Sequence, residues 1–374
     1  MPITEESLKS SSHPEKRWIA LLGRRDEPTD GLEDYCTFLG AALQRSDVSF
    51  EKVRVQWADL GWARALRQLR RECTGWSGKW VLLQYTALAW SRRAFPFRIL
   101  SVARILRDVG VHVAVVYHEP TRQSGAHWSS VIRGACQDWV IRKLFQKAEK
   151  AIFTVPLEMV PWLPKGDAKA AFIPIGANIP EGVARGSPPL NADSEKTVIV
   201  FGVTGMPQTD REVDEIAYVM KGTSQAIPKL RLIAVGRGAV EAREKLASAL
   251  DGANVELTVR GVLPAEEVTR EFERADALLF VRGAITTQRG SALAGVACGV
   301  PIVGYRNGNI GEPLKDAGIE WSPWGDRDGL VSGLTRVLSD SSRWMELHER
   351  NLDAQRNYFS WSRIADWFQA VLAE

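Results

Sequence analysis

Short apolar runs alternate along the chain with longer stretches in which apolar residues recur every third or fourth position. The run at 18–22 stops at Gly23 and reads as a strand. A polar loop over 24–30 and Gly31 follow, and then Leu32, Tyr35, Cys36, Leu39 and Leu43 fall at helical spacing. The alternation continues with predicted strands over 53–57, 80–85, 111–117, 151–155 and 171–175 and helices over 62–73, 97–109 and 128–150. The run at 111–117 is nearly continuous in apolar residues, as in a parallel strand covered on both faces. A stretch rich in Pro, Gly, Ser and Asp over 179–196 interrupts the pattern. Beyond it, strands are predicted over 197–201, 230–235, 254–259, 277–281 and 301–305, with helices over 210–220, 239–250, 265–274, 291–298, 328–338, 341–356 and 361–373.

Alternation of this kind in both halves predicts an α/β chain of two doubly wound, Rossmann-like domains. The expected division is a polar tail over 1–16, a first domain over 17–180, a linker over 181–196 and a second domain over 197–356. A closing helix over 357–374 completes it. Such sheets bind ligands at the carboxyl ends of their strands, so the cleft between two of them is the natural active site.

Composition narrows the class. The chain has 374 residues, 45% hydrophobic and 25% charged, close to the soluble globular average, which excludes disordered, collagen-like and coiled-coil chains. No apolar stretch reaches the roughly 18 residues of a membrane span, and the polar start is not a secretory signal. Cys36, Cys73, Cys136 and Cys298 form no CxxC pair, which argues against a zinc site or a disulfide framework and for a reducing cytoplasm. The net charge of +3 conceals an asymmetry: residues 1–180 hold 26 Lys and Arg against 18 Asp and Glu, and 181–374 hold 22 against 27. The basic half suits an anionic lipid face, a phosphorylated substrate or nucleic acid, although no nucleic-acid module is recognisable. Trp62, Trp76, Trp80 and Trp90 interleave with Arg64, Arg67, Arg70, Arg71, Arg92, Arg93 and Arg98. That pattern reads either as a membrane-interface face or as a solvated basic face over buried indoles.

The segment FERADALLFVRGAITTQRGSALAGVACGVPIVG, 272–304, resembles the donor-binding core of GT-B glycosyltransferases, in particular the retaining family-4 group. TDGLEDYCTFLGAAL (29–43) is similar to that group's N-terminal glycine loop, and VAVVYHEP (113–120) to the strand that ends in a His near the sugar. IAVGRG (233–238), VRGVLPAEEVTREFERADA (259–277) and YFSWSRIADWFQAVL (358–372) follow in the group's order. The resemblance implies GT-B architecture, two Rossmann-like domains facing each other across a cleft. It also implies transfer of a sugar from a nucleotide-sugar, UDP- or GDP-linked, to a saccharide or lipid-linked acceptor, with retention and without metal or other cofactor. Polysaccharide or glycolipid assembly in the cytoplasm, peripheral at the inner membrane face, is the implied setting. Two features depart from the group. Its two donor-loop glutamates fall here on Thr286 and Ala294, and its phosphate-gripping Arg and Lys are absent from GVTGMPQTDREVDE (202–215). A non-catalytic GT-B binding or scaffold protein is therefore the alternative, and an isomerase or phosphorylase of the same architecture a third.

Within this frame particular residues acquire candidate roles. Gln288-Arg289-Gly290-Ser291 stands where a helix begins, so free N–H groups, Gly290, Ser291 and the Arg289 charge suit a phosphate. Ser291 as a plain helix cap and Arg289 as a solvated side chain is the plainer reading. Leu293, Val296 and Cys298 are assigned to the core. Gly31 suits either a φ > 0 turn with room for a phosphate or sugar, or a simple tight turn. Asp30 and Glu33 suit acceptor hydroxyls or the helix N-terminus. His118 and Glu119 follow a buried strand, where His118 would hold the donor sugar and Glu119 the acceptor, or His118 would bond backbone. Gly236 and Arg237, Arg260 and Val262, and Arg282 and Gly283 end three successive strands and outline a nucleotide pocket, with Ala294 at the ribose position. His118 and Arg289 are the catalytic candidates.

Overall fold

The computed structural model describes residues 16–122, 128–180, 194–205, 208–306, 308 and 310–373. The predicted tail up to residue 15 and most of the predicted linker, 181–193, lie outside them.

In chain order the elements are β1 (Lys16–Leu22), α1 (Gly31–Gln44), β2 (Val48–Arg54), α2 (Trp57–Leu60), α3 (Trp62–Glu72) and β3 (Trp80–Tyr85). Next come α4 (Ile99–Asp108), β4 (His112–Tyr117), α5 (Trp128–Lys147), β5 (Lys150–Phe153) and β6 (Ala170–Phe172). Then follow β7 (Lys196–Phe201), α6 (Thr209–Ser224), β8 (Leu230–Val235), α7 (Arg243–Leu250), β9 (Val255–Gly261) and α8 (Ala265–Arg274). The chain closes with β10 (Ala277–Phe280), α9 (Gly290–Ala297), β11 (Ile302–Arg306), β12 (Ile319–Pro323), α10 (Arg327–Ser339), α11 (Ser341–Ala354) and α12 (Trp361–Ala373). A π-helical turn over Gln355–Phe359 joins the last two helices.

The strands form two six-stranded sheets, ordered β2-β1-β3-β4-β5-β6 and β12-β11-β10-β7-β8-β9. Every neighbouring pair of the second sheet is parallel, and β1 runs parallel to both of its neighbours. Both orders are doubly wound, as the alternation of strand and helix requires.

Contacts group the described residues into two compact units. One comprises 16–25, Cys36–Val116 and Arg122–Ala151; the other comprises Asp26–Tyr35, Tyr117–Thr121 and the chain from Ile152 onward. In the second unit the strands alternate cleanly. Val198, Val200, Leu232, Ala234, Leu279 and Val303 pack with α6, α7, α10 and α11. Ile199, Ile233, Val235, Leu278, Phe280 and Ile302 pack on the other face with α8 and α9. That is the period-two geometry of a strand buried on both sides.

One predicted strand moves and two further elements appear. The second strand is Val48–Arg54, not 53–57. Val55 donates its N–H to the Leu22 carbonyl at 2.9 Å, and Trp57 then opens α2 with its indole N–H on the Ala89 carbonyl at 3.0 Å. The apolar spacing of Val53, Val55 and Trp57 thus belongs to a strand end and a helix start. The further elements are α2 and the edge strand β12, in which Ile319 and Trp321 alternate with Glu320 and Ser322 over five residues only. Its Glu320 is buried because it pairs with Arg336 at 2.8 Å and Arg343 at 2.6 Å, residues that only α10 and α11 supply.

Trp76 and Trp90 are buried, Trp62 half-buried, and Trp62 stacks on Trp57 at 5.0 Å. Of the two readings of the Arg–Trp stretch, these indoles follow the buried one. Among the described residues no helix is long and apolar enough to cross a membrane.

Candidate anion-binding site

The site is built where the chain order of the second sheet reverses, between β7 and β10. There the loops after adjacent strands diverge and leave a crevice. Gly202, with φ +82, follows β7; Gly236 and Gly238, with φ +89 and +78, follow β8. The two loops are joined by Gly202 N–H to the Val235 carbonyl at 2.7 Å and Val203 N–H to the Arg237 carbonyl at 2.9 Å. A Cβ on Gly238 would lie 2.1 Å from the Val203 carbonyl oxygen, so glycine is needed there for space as well as for φ.

Arg282, from the loop after β10, spans this crevice. Its Nη1 donates to the Phe201 carbonyl at 3.4 Å and its Nε to Thr204 Oγ1 at 3.3 Å. A Cβ on Gly202 would stand 2.6 Å from that Nη1. Burial lowers the Arg282 pKa; the Glu212 carboxylate opposes the shift, and the charges of Arg289 and Arg237 add to it. Glu212 is itself buried on α6 and accepts the Thr204 N–H at 2.7 Å. Three guanidinium groups are thus close enough to repel each other, against two carboxylates, the buried Glu212 and Asp26 on Arg237. That balance favours a multiply charged anion.

Arg237 is oriented by residues of the 26–35 segment. Nη1 pairs with Asp26 at 3.1 Å, and Nη2 donates to the Thr29 carbonyl at 2.6 Å and Oγ1 at 2.7 Å. Arg289 is the residue before α9 and its side chain is exposed. A Cβ on Gly283 would lie 3.8 Å from its Nη2. Gly236, Arg237, Arg282, Gly283, Arg289 and Gly290 are therefore brought into one region, as their sequence positions imply.

The loop from β10 to α9 is fixed by threonine and glutamine. Thr287 Oγ1 donates to the Thr154 carbonyl at 2.6 Å. Gln288 Nε2 donates to the His118 carbonyl at 2.5 Å and to Thr154 Oγ1 at 2.8 Å. Gln288 thereby holds the end of β4 against the start of α9. The His118 ring meets Tyr35 edge-on at 4.8 Å, and Tyr35 in turn meets Trp361 at 5.2 Å. Burial lowers the His118 pKa to about 3, so the imidazole is neutral at physiological pH. Glu119 is half-buried beside it.

Other expectations take a different form. Gly31 is the first residue of α1 without positive φ, and its carbonyl accepts from Asn178 Nδ2 at 3.0 Å. Asp30 is buried and caps α1, its Oδ1 accepting from the Leu32 and Glu33 N–H groups at 3.1 and 3.3 Å. Glu33 lies half-buried in that first turn. Ser291 is not a cap: α9 starts at Gly290 after Arg289, with no side-chain cap bond. Arg260 turns to α8 and pairs with Glu271 at 3.5 Å, while Val262 is exposed. Ala294 is buried in the second sheet's core, as are Leu293, Val296 and Cys298. Glu212, Thr154 and Thr287 carry no signal in the sequence, and Gln288 stands out only as part of the segment that opens α9, since the value of all four lies in partners far away in sequence.

Two parallel doubly wound sheets in this order define the GT-B architecture. No protein-family model matches the chain, and no protein of curated function matches it in sequence. Solved structures do. The chain is similar to HepE of Anabaena in complex with UDP and glucose, at 12% identity and TM-score 0.65, covering 96% of this chain and 99% of that one. It is similar to sucrose-phosphate synthase of Thermosynechococcus elongatus at 17% identity and TM-score 0.68, covering 96% and 98%. A putative UDP-N-acetylglucosamine 2-epimerase of Listeria monocytogenes matches at 12% and 0.63, with 96% of each chain covered. At such identities the likeness concerns the architecture.

Proposed function

We propose that the chain is a glycosyltransferase that moves a sugar from a UDP- or GDP-linked donor to a saccharide or lipid-linked acceptor. The observation that carries this reading is the trio Arg237, Arg282 and Arg289 around a glycine-lined crevice at the switch point of the second sheet. Two structural neighbours, HepE with UDP and glucose and a sucrose-phosphate synthase, are consistent with it.

In this reading the diphosphate sits against Arg282 and the α9 N-terminus, with Arg289 closing over it. The bond from the anomeric carbon to the diphosphate oxygen breaks and leaves its electron pair on the diphosphate. The acceptor hydroxyl forms the new bond with retention of configuration, and its proton passes to the departing phosphate. Fixed positive charge at the leaving group supplies the main catalytic effect. His118, neutral, would hydrogen-bond a hydroxyl of the donor sugar, and the Asp30–Glu33 turn with Glu119 would border the acceptor. We place the reaction in the cytoplasm, at the inner membrane face when the acceptor is lipid-linked.

A second reading has a specific observation behind it. Ala294 is buried and apolar where the family-4 resemblance would put a ribose-holding glutamate, so a nucleotide-binding scaffold without transfer is the alternative. Calorimetry with UDP, GDP, ADP, CMP and dTDP and their sugar conjugates separates the readings, with Arg289→Ala alongside. Selective binding weakened by that substitution, with donor hydrolysis or transfer, supports the enzyme. Binding without turnover supports the scaffold, and silence from folded protein overturns both.

A further inference from the structure

The first sheet has a switch point of its own. Its chain runs from β1 to β2 on one side and then to β3 on the other, so the reversal falls between β1 and β3. Open α/β sheets take ligands at the carboxyl edge of such a point. Residues 23–25, 54–59 and 86–93 end or follow β1, β2 and β3 at that edge, and all belong to the first unit. They hold five Arg and one Asp. A surplus of one sign at a strand edge concentrates ligands of the other sign.

Hydrogen bonds fix the backbone of this edge. The Arg24 N–H donates to the Ala89 carbonyl at 2.7 Å, and the Trp57 indole N–H donates to the same oxygen at 3.0 Å. A Cβ on Gly23 would stand 2.2 Å from that oxygen, so glycine is what lets the loop after β1 close on the loop after β3. Arg54, the last residue of β2, donates from Nη1 to the Gly23 carbonyl at 2.8 Å. Residues from the ends of all three strands thus converge on Gly23 and Arg24, and a second guanidinium is brought to the residue before Arg24.

The Arg24 side chain does not share in this order. The residue is half-buried, and its Nε is shut off from solvent with no hydrogen-bond partner. Among the described residues the side chain enters no ion pair. Two other arginines have a buried, unmatched Nε, but both are held at their Nη atoms. Arg231 pairs with Glu195 and Glu256, each at 3.1 Å, and Arg327 donates to the Asp214 carbonyl at 2.7 Å. Arg24 has no such anchor. A guanidinium cannot shed its charge by losing a proton, and a buried donor left unmatched lowers stability. A charge held in this way, on a backbone this closely fixed, is suited to a counter-ion that arrives with a ligand. Phosphate and carboxylate oxygens match the planar fork of an arginine at two points.

We infer that Arg24, at the carboxyl edge of the first sheet, binds the phosphate or carboxylate of an anionic saccharide. That the ligand is a saccharide rests on the glycosyltransferase reading, in which it is the acceptor; that it is anionic rests on this edge alone. Arg24 then sets the acceptor class, because a neutral sugar leaves the guanidinium without its partner. The test is calorimetry of the full chain with glucose 6-phosphate, glucuronate and glucose, each with and without saturating UDP. One of the two anionic sugars should bind at least about tenfold more tightly than glucose, and which one does so tells phosphate from carboxylate. Arg24→Gln should weaken that sugar roughly 10- to 150-fold and leave UDP affinity within about twofold. Arg24→Lys, which keeps the charge without the planar fork, should lose less than Arg24→Gln. Arg282→Met should weaken UDP and leave the anionic sugar within about twofold, which separates this site from the one on the second sheet. Equal affinity for glucose and both anionic sugars would overturn the inference, as would binding that Arg282→Met abolishes and Arg24→Gln leaves intact. A melting temperature lowered by more than about 5 °C in Arg24→Gln would also overturn it, since Arg24 would then be a structural residue. UDP binding without a preference for anionic sugars would sink this inference alone, and that preference without nucleotide binding would sink the transferase reading alone.

Discussion

Replacing Arg282 by Met separates a guanidinium kept for a ligand from one kept for the fold. Its two hydrogen bonds, 3.3 and 3.4 Å long, reach neutral acceptors and are near the outer limit of the interaction. Together they contribute about 1 kcal/mol. Burial and the neighbouring Arg289 and Arg237 work against its charge, and Glu212 works for it. Met covers much of the same apolar stem, so unfolding free energy should change by no more than about 1 kcal/mol, because desolvation relieved offsets attraction lost. Glu212 keeps its Thr204 N–H donor throughout. The ligand has no such compensation. A charge-assisted bond to phosphate is worth about 1.5–3 kcal/mol, so the dissociation constant for the preferred nucleoside diphosphate should rise roughly 10- to 150-fold. Urea denaturation gives the first quantity and calorimetry the second. Unchanged nucleotide affinity together with a stability loss above about 3 kcal/mol would refute the reasoning, since it would make Arg282 a structural residue.

Three further outcomes are expected. His118 is held neutral in the folded chain, so the unfolded chain binds the extra proton between pH 6.5 and about 3. Its contribution is present above pH 6.5 and lost as pH falls, about 2 kcal/mol between pH 7 and 5 in urea titrations, and His118→Phe should remove that part of the slope. Gly238→Ala brings a Cβ to 2.1 Å from the Val203 carbonyl at φ +78, and should cost about 3 kcal/mol or more by thermal denaturation, with nucleotide binding lost in parallel. Gln288→Ala cuts the two bonds to His118 and Thr154 without touching the arginines. Steady-state kinetics should then show kcat reduced roughly tenfold or more with nucleotide affinity within about threefold of the parent, since misplacement costs catalysis before binding.

Much of the fold was legible because local patterns specify it. Short apolar runs such as Leu230–Val235 and period-three-to-four stretches such as Trp62–Glu72 appear where the pattern predicts them. The failures have local causes too. The Val53, Val55 and Trp57 spacing merges the end of a strand with the start of a helix, and β12 hides because its buried Glu320 is neutralised by arginines 16 and 23 residues away. The site was legible in part. Glycines at strand ends and the arginines beside them stand out in sequence, and Arg237, Arg282 and Arg289 do come together. Arg260 looked equivalent, yet Glu271 of α8 takes its side chain. Asp30 looked available to a ligand, yet it caps α1.

The sequence by itself therefore determined the order of strands and helices and the residue types at the sheet's carboxyl edge. These follow from periodicity and from glycine's backbone freedom, which act over a few residues. Only the tertiary structure decided which of several arginines remain unneutralised, that Gln288 and Thr287 lock the loop before α9 to Thr154 and His118, and that the His118 imidazole is neutral. It also decided that Trp57, Trp76 and Trp90 near the basic helix are core residues while Phe95, Phe97 and Trp139 meet solvent. Desolvation and charge pairing depend on neighbours a hundred or more residues distant, and packing alone brings those neighbours within reach.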